Sequence, residues 1–186
     1  MPMPATSSWT VEMVHALPDD GNRYEVVDGE LFVTPSPSRS HQGAAFQLAR
    51  MLADYADATG VGNVVMAPAD VTYGVRTMVE PDVFVAPLVD GRWARSAEEE
   101  GPLLLVVEVL SRTTARRDRT VKRALYQRQG IPEYWIVDTD KRAIERWRPQ
   151  DDAPEILTTT LEWRPDAAHE PLVIELSAFF RRVCGD

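Results

Sequence analysis

The sequence predicts an α/β fold in which a mixed β-sheet is flanked by helices and preceded by an N-terminal β-hairpin. The strongest indication is residues 103–110, a nearly continuous apolar run that is typical of a central strand buried on both faces. A helical pattern and a second apolar strand follow this run, which is the order expected for a sheet with helices packed on it. The third indication is the dipeptide Asp28-Gly29 between two strand-like runs, because these residues suit a type I′ hairpin turn.

The first elements of the chain are a short helix and this hairpin. Thr10 can cap a helix over residues 10–17, which ends before Pro18. The hairpin then occupies residues 23–33.

A longer helix follows the hairpin, over residues 41–59. Its apolar residues recur at spacings of three and four, with Ser40 as the expected N-cap and Gly60 as the expected C-cap. Two runs rich in Val and Phe then predict a pair of antiparallel strands, at residues 63–73 and 79–86.

The helix after the central strand is capped by Thr113 or Thr114 and runs to about Gln129, where Gly130 ends it. The elements predicted beyond it are a buried strand at residues 133–138, its hairpin partner at 143–148, strands at 156–161 and 172–176, and a closing helix at 177–183.

The length of the chain fits one ordinary domain. We expect a flexible tail over residues 1–9 and a single domain over residues 10–186. The tail lacks the basic start and the apolar run of a signal peptide, and no apolar run approaches the roughly 20 residues that span a bilayer. The sequence therefore predicts a cytoplasmic protein without a membrane segment.

Cysteine and histidine offer little for a metal centre. The chain has one cysteine, Cys184, which excludes an intrachain disulfide and a cysteine-based zinc cluster, and its three histidines lie far apart. A bound metal must therefore depend mostly on carboxylate oxygens, which favours a hard cation such as Mg²⁺ or Mn²⁺.

The net charge is −9, which by itself argues against nonspecific nucleic-acid binding, since phosphate contacts need a basic surface. Basic residues are nevertheless concentrated between Arg112 and Arg128, which predicts an acidic molecule with one basic face. The arginines in this stretch can contact backbone phosphates or form a solubilising helix face, and the candidates are Arg116, Arg117, Arg119 and Arg123.

Glu108 is the one charged residue in the central apolar run. A lone buried carboxylate is costly unless a cation compensates it. The sequence leaves open a bound metal, a core arginine partner, or a position at the exposed end of the strand. Asp82 follows Pro81 at a strand start and alone fits a turn cap. If Asp82 lies on a strand next to that of Glu108, the two carboxylates can hold one divalent cation between them.

Lys122 lies in the helix after the central strand, where Asp118, Lys122 and Tyr126 are spaced by four and share one face. One interpretation is a surface charge, or an ordinary ion pair with Asp118. The other is that this helix packs over the strand ends and brings the ammonium group beside the metal.

Six motifs in this order resemble those of the Uma2 family, a family of proposed endonucleases within the PD-(D/E)XK superfamily. They are residues 23–31 (RYEVVDGEL), His41, residues 79–83 (VEPDV), residues 107–111 (VEVLS), Asp118 with Lys122 and Tyr126, and residues 130–138 (GIPEYWIVD). The resemblance covers roughly residues 10–180, nearly the whole chain, and it implies a restriction-endonuclease-like core.

The resemblance also assigns roles to single residues. Asp82 matches the superfamily's Pro-Asp element, and Glu108 matches its second acid. The superfamily's lysine two positions later is Leu110 here, and the resemblance implies that Lys122 takes its place.

Two further residues match family positions near the site. Glu25 is a candidate catalytic residue, with a structural role in the hairpin as the alternative. His41 is a candidate contact to nucleic acid, with a role at the helix start as the alternative.

The activity implied by the resemblance is metal-dependent hydrolysis of nucleic-acid phosphodiesters, with DNA favoured over RNA. Asp82, Glu108 and the backbone carbonyl of Val109 would hold Mg²⁺ or Mn²⁺, and Lys122 would orient water or stabilise developing charge. Alanine at Asp82, Glu108 or Lys122 is expected to abolish cutting and to leave the fold intact. The alternative is a catalytically inactive nucleic-acid-binding or assembly module on the same fold, and the apolar C-terminal strands allow a homodimer.

Overall fold

The computed structural model describes residues 8–95, 99 and 101–185. In chain order its strands are β1 (Arg23–Val27), β2 (Glu30–Thr34), β3 (Asn63–Met66), β4 (Val71–Thr72), β5 (Met78–Val79), β6 (Val83–Ala86), β7 (Leu105–Val109), β8 (Tyr134–Asp138), β9 (Ala143–Trp147), β10 (Glu155–Leu157), β11 (Thr160–Trp163) and β12 (Leu172–Glu175). The helices are α1 (Val11–His15), α2 (Arg39–Thr59), α3 (Ala115–Arg117), α4 (Arg123–Arg128) and α5 (Leu176–Cys184), and a π-helical turn (Asp118–Lys122) joins α3 to α4.

A six-stranded mixed sheet forms the centre of the molecule, in the order β10-β9-β8-β7-β6-β3. β7 lies between β6, which is antiparallel to it, and β8, which is parallel to it. Parallel neighbours require a crossover connection, and the helical segment from α3 to α4 provides it. All five residues of β7 are buried, so the prediction of a central strand is confirmed. The predicted fold class, a mixed sheet flanked by helices, is confirmed as well.

The N-terminal hairpin is also confirmed. β1 and β2 pair in register from Arg23 opposite Thr34 to Val27 opposite Glu30. The two residues between them, Asp28 and Gly29, have φ angles of 51° and 86°, as a type I′ turn requires. The hairpin belongs to a second, four-stranded sheet in the order β2-β1-β5-β4.

Three predicted strands were wrong in one respect, because each divides between two sheets. The run at residues 63–73 forms β3 and β4, the run at 79–86 forms β5 and β6, and the run at 156–161 enters both β10 and β11. In the first two runs the chain changes sheet around Pro68 and Pro81. Proline has no N–H to donate to a strand ladder, which explains why pairing stops there.

The helix caps agree with the sequence at Thr10 and Gly60, whereas Thr114 precedes α3 without a side-chain capping bond. The Thr10 hydroxyl accepts a hydrogen bond from the Met13 N–H at 3.2 Å, and Gly60 ends α2 with a φ of 71°. The N-cap of α2, however, is Ser38 and not Ser40, because the Ser38 hydroxyl accepts from the His41 N–H at 3.3 Å. The helix predicted to run to Gln129 is also not a continuous α-helix, since the π turn interrupts it.

The two faces of the central sheet bury different helices. On one face the side chains of β7 pack with α2 and α5, for example Val107 with Leu48 and Phe180 in one core cluster. On the other face Val106 belongs to a cluster with Leu125 and Tyr126 of α4. Since side chains alternate along a strand, Glu108 shares this second face with Val106.

Most of the predicted tail, residues 1–7, lies outside the described residues. Trp9, by contrast, donates its backbone N–H to the Gly29 carbonyl at 2.9 Å, and its side chain packs beside the hairpin. Trp9, which the predicted tail included, is therefore bound to the hairpin, and the division into a tail and a single domain remains a prediction. None of the described helices is long and apolar enough to cross a bilayer.

Replacing each of two glycines by alanine should change the free energy of unfolding in opposite directions. A Cβ at Gly62 would collide with the Ala86 backbone carbonyl oxygen, so Gly62→Ala should destabilise the fold by roughly 1–3 kcal/mol. A Cβ at Gly43 in α2 meets nothing within 4 Å, so Gly43→Ala should stabilise the fold by roughly 0.5–1 kcal/mol. Urea unfolding of both variants tests the packing at Gly62, and equal stability of the two would contradict it.

Candidate active site

A cavity of about 610 Å³ opens at the carboxyl ends of β7 and β8. Its lining includes Asp82, Glu108 and Lys122, which come from three separate stretches of the chain. Its remaining walls are formed mainly by the segments that follow β2, β7 and β8, and they include the first residues of α2 and the helical segment that begins with α3. The structure thus brings together the three residues that the sequence singled out.

The two carboxylates lie on the same face of the sheet. β6 pairs with β7 so that Phe84 stands opposite Val106. Asp82 is two residues before Phe84 and Glu108 is two residues after Val106, so both share the face of that pair. This face is the one covered by the helical segment that carries Lys122.

Lys122 lies between two buried carboxylates. Its Nζ is 2.7 Å from Oε1 of Glu25 and 2.7 Å from Oε1 of Glu108. The Tyr126 hydroxyl donates to the same Glu108 oxygen at 3.1 Å. Lys122 is only 1% exposed, so the interpretation as a surface charge is wrong.

Asp82 is held on both of its oxygens. Oδ1 accepts from Nη1 of Arg23 at 3.0 Å, while Oδ2 accepts from the Val109 N–H at 2.8 Å and lies 3.1 Å from Nε2 of His41. Arg23 also contacts Glu80, through Nε to Oε1 at 2.8 Å and through Nη1 to the backbone carbonyl at 3.0 Å. It therefore fixes the chain on both sides of Pro81.

Sequence reasoning missed the part played by Arg23 and Glu80. Both lie within motifs of the family resemblance, Arg23 at the start of residues 23–31 and Glu80 next to Pro81. Their place in these motifs was the only signal in the sequence, because the contact between them joins segments 57 residues apart.

The Val109 carbonyl lacks its expected ladder partner. Val83 pairs with Val107, and the same register continued by two residues places Pro81 opposite Val109. Proline has no N–H to donate, and the Val109 N–H itself donates to Asp82. The carbonyl of Val109 points to the same side of its strand as that N–H, which is the side of Asp82.

Burial and neighbouring charges shift the acidity of these groups. Burial raises the pKa of Glu108 to about 8 against the pull of Lys122, and the nearby charge of Asp82 adds to this rise. Burial also acts to raise the pKa of Asp82, but the hydrogen bond and charge of His41 and the charge of Arg23 bring it below its ordinary value. Burial opposes a charged Lys122, yet the carboxylates around it raise its pKa.

The centre of the site carries more negative than positive charge. Three cations are paired with its carboxylates or lie among them, namely Arg23, Arg117 and Lys122. The acids that interact with these cations number five, and they are Glu25, Glu80, Asp82, Glu108 and Asp118. His41 lies beside Asp82 as a further basic group, and when it is counted the acids outnumber the basic groups by five to four.

Glu25 is placed as a partner of Lys122 and is not among the residues that line the cavity. Its Oε1 also accepts from the Glu80 N–H at 2.9 Å, and Arg117 lies 3.3 Å from its Oε2. These contacts favour the structural alternative for Glu25, which is to hold the hairpin against the helix. His41 contacts Asp82, and this places it in the site itself.

Two arginines of the expected basic face, Arg117 and Arg119, are paired with acids. Arg117 donates to Thr34 and lies over the ring of Phe32, with 5.0 Å from its Cζ to the ring centroid. Arg119 is paired with Glu145 at 2.6 Å and with Asp138 at 3.1 Å.

The last two arginines of this group differ. Arg123 donates to Gln127 at 2.7 Å and lies over the ring of Trp147, whereas Arg116 is exposed. Three of the four arginines therefore have partners within the protein, and contact with phosphates remains one of the two roles that the sequence left open. Apart from Gln127, which lies four residues from Arg123 on α4, these partners lie on strands far away in sequence, so the pattern of charges alone did not show them.

The comparisons with known proteins agree with this architecture. One solved structure similar to the chain is described as a putative nuclease belonging to DUF820 from Anabaena variabilis. It superposes with a TM-score of 0.76 at 15% identity and covers 94% of this chain and 99% of that one. This likeness shows the fold alone. A comparison with curated proteins finds no match.

The sequence also matches the model of a protein family over residues 11–179. That family is Uma2, described as "Putative restriction endonuclease", and the description supports a nuclease function. Since the match spans nearly the entire chain, this protein belongs to the Uma2 family.

Proposed function

We propose that this protein is a metal-dependent endonuclease that hydrolyses phosphodiester bonds of nucleic acid, with DNA as the preferred substrate. One observation carries the proposal: the Asp82 and Glu108 carboxylates share one face of the sheet and line one cavity, with the Lys122 ammonium 2.7 Å from Glu108. Membership of the Uma2 family supports it.

The donor set fits Mg²⁺ or Mn²⁺. Among the described residues, no three His, Cys, Asp or Glu side chains are grouped so that they could hold a metal ion by themselves. Mg²⁺, however, is usually bound through one or two carboxylates, with waters and substrate phosphates as the other ligands. Asp82, Glu108 and the Val109 carbonyl would be its protein ligands, and the excess of acids over basic groups in the cluster favours such an ion.

The residues around this position would prepare it for phosphodiester hydrolysis. A bound divalent cation supplies a water of lowered pKa and stabilises charge on a phosphate oxygen. Lys122 is fixed by Glu25 and Glu108, so its ammonium can stabilise negative charge that develops on the phosphate without reorganising. Arg23 and His41 orient Asp82, and Tyr126 orients Glu108.

A catalytically inactive nucleic-acid-binding or assembly module is the second candidate. The observation in its favour is that Lys122 and most of the arginines near the cavity are already paired with acids. Metal binding separates the two functions. A homodimer and a cytoplasmic location remain predictions.

Removal of one carboxylate charge should slow cleavage strongly. Asp82→Asn and Glu108→Gln keep the shape of the side chain but remove the charge that would bind the cation. We expect each variant to cut plasmid DNA with Mg²⁺ slower by on the order of 10²-fold or more. The matched control is Glu133→Gln, since Glu133 is a largely buried acid that does not line the cavity. Cutting by either site variant at the rate of the control would contradict the proposal.

Mn²⁺ should stabilise the wild type against unfolding. A ligand that binds the native state alone adds about 2.7 kcal/mol at a concentration of 100 times its Kd. Thermal unfolding with increasing Mn²⁺ should therefore show a rising Tm for the wild type and a constant Tm for Glu108→Gln. A Tm that rises equally in both proteins, or in neither, would favour the inactive module.

Alanine at Lys122 should destabilise the fold, in contrast to the expectation from the sequence. Lys122→Ala leaves the buried Glu25 and Glu108 without their shared cation, a loss of roughly 3–5 kcal/mol. Lys141 is the matched control, because its side chain is 72% exposed and its alanine variant should change stability by less than about 0.5 kcal/mol. Urea unfolding compares the two, and equal stability would show that the carboxylates do not need this ammonium.

A further inference from the structure

We propose that the cavity takes an unpaired DNA strand, held mainly through neutral hydroxyl groups, in preference to a duplex. This inference rests on the proposed nuclease function and specifies its substrate. Three features of the cavity carry it: its depth, the chemistry of its walls and the small number of cations free to meet phosphates.

The reacting groups lie below the surface. Asp82, Glu108 and Lys122 are 3%, 2% and 1% exposed, so a phosphate must enter the cavity to reach them. A volume of about 610 Å³ is that of a pocket for a small molecule. Duplex DNA is stiff, with a persistence length of about 50 nm, so turning one phosphate inwards deforms its neighbours and costs free energy. An unpaired strand is flexible enough to do so.

The walls of the cavity are rich in hydroxyl groups. Those on the segments around the end of β2, the start of α2 and the end of β7 include Thr34, Ser38, Ser40, Ser111 and Thr113. The Ser36 hydroxyl also lines the cavity but already donates to the Gly21 carbonyl, whereas Thr34 accepts from Arg117 and so keeps its own proton for a phosphate. Serine and threonine hydroxyls commonly contact phosphate and sugar oxygens without reading sequence. None of the described residues that line the cavity is Phe, Tyr or Trp, and the one imidazole ring among them, that of His41, is held by Asp82, so the cavity has no large platform for stacking a base. We therefore expect binding to be independent of sequence.

Few cations at the cavity are available for phosphates. Arg112 is exposed and lines the cavity, and Lys141 is largely exposed, 3.6 Å from Asp138. The other cations that line it are each within 3.3 Å of a carboxylate, and these are Arg23, Arg117, Arg119 and Lys122. Two phosphate contacts correspond to a salt slope of about −1.4 for a single strand, whereas a duplex binder with six or more contacts shows a far steeper slope.

The test measures binding of the full-length wild type to a fluorescein-labelled 20-nucleotide DNA, alone and annealed to its complement, by fluorescence anisotropy. Divalent cations are left out, so that no cutting interferes. We expect at least tenfold tighter binding of the single strand, with a slope of log K against log salt near −1.4. Equal or tighter binding of the duplex, a slope steeper than about −4, or no binding of either DNA would overturn the inference.

Two variants assign the salt dependence to the cavity. Arg112→Gln should halve the slope to about −0.7, because one phosphate contact is lost. Arg50→Gln removes the same charge from an exposed position on α2 outside the cavity and should leave the slope unchanged. Equal effects of the two changes would show that DNA binds elsewhere.

Cleavage assays separate this inference from the proposed function. If the wild type with Mg²⁺ cuts duplex faster than single strand, the nuclease function stands and the preference for an unpaired strand fails. If the single strand binds more tightly but is never cut, the preference stands and the nuclease function fails.

Discussion

The ion pairs of Lys122 are the interaction on which the rest of the site depends. This ammonium joins Glu25 of the four-stranded sheet and Glu108 of the six-stranded sheet, and it belongs itself to the helical segment between β7 and β8. Three parts of the fold therefore meet at one buried charge. Breaking a buried pair costs more than forming it gains, because the partner is left with an uncompensated charge. The position of Glu108 in the cavity is consequently fixed by the tertiary structure as a whole.

A second constraint acts around Pro81. The chain leaves one sheet after β5 and enters the other at β6, and Pro81 lies in the short segment between them. The missing N–H of Pro81 leaves the Val109 carbonyl without its ladder donor, while Arg23 binds both residues that flank the proline. The same proline that ends strand pairing thus frees a backbone oxygen next to the Asp82 carboxylate. The start of β6 and the end of β7 therefore present two kinds of oxygen side by side, the Asp82 carboxylate and the Val109 carbonyl.

The ion pairs of the fold explain why an acidic chain contains a basic stretch. The chain has a net charge of −9, and the basic stretch of its sequence is folded against acids of β8, β9 and the hairpin. Arg119 between Asp138 and Glu145 is the plainest example. Such pairs organise the wall of the cavity but leave little free positive charge for a polyanion. A nuclease built in this way would rely on the chemistry of its cavity more than on a broad basic surface.

The sequence by itself determined the features that depend on a few adjacent residues. The Asp28-Gly29 dipeptide predicted the hairpin turn, and the apolar run predicted β7 as a central strand. Glu108 was recognisable as the one charged residue in that run. These predictions succeeded because turn geometry and burial pattern are encoded locally.

Only the tertiary structure decided where strands divide between sheets, which serine caps α2, and that Arg23 holds Asp82. Each of these depends on pairing between segments far apart in the chain, and the energy of such pairing is set by register and burial, which no short stretch of sequence contains.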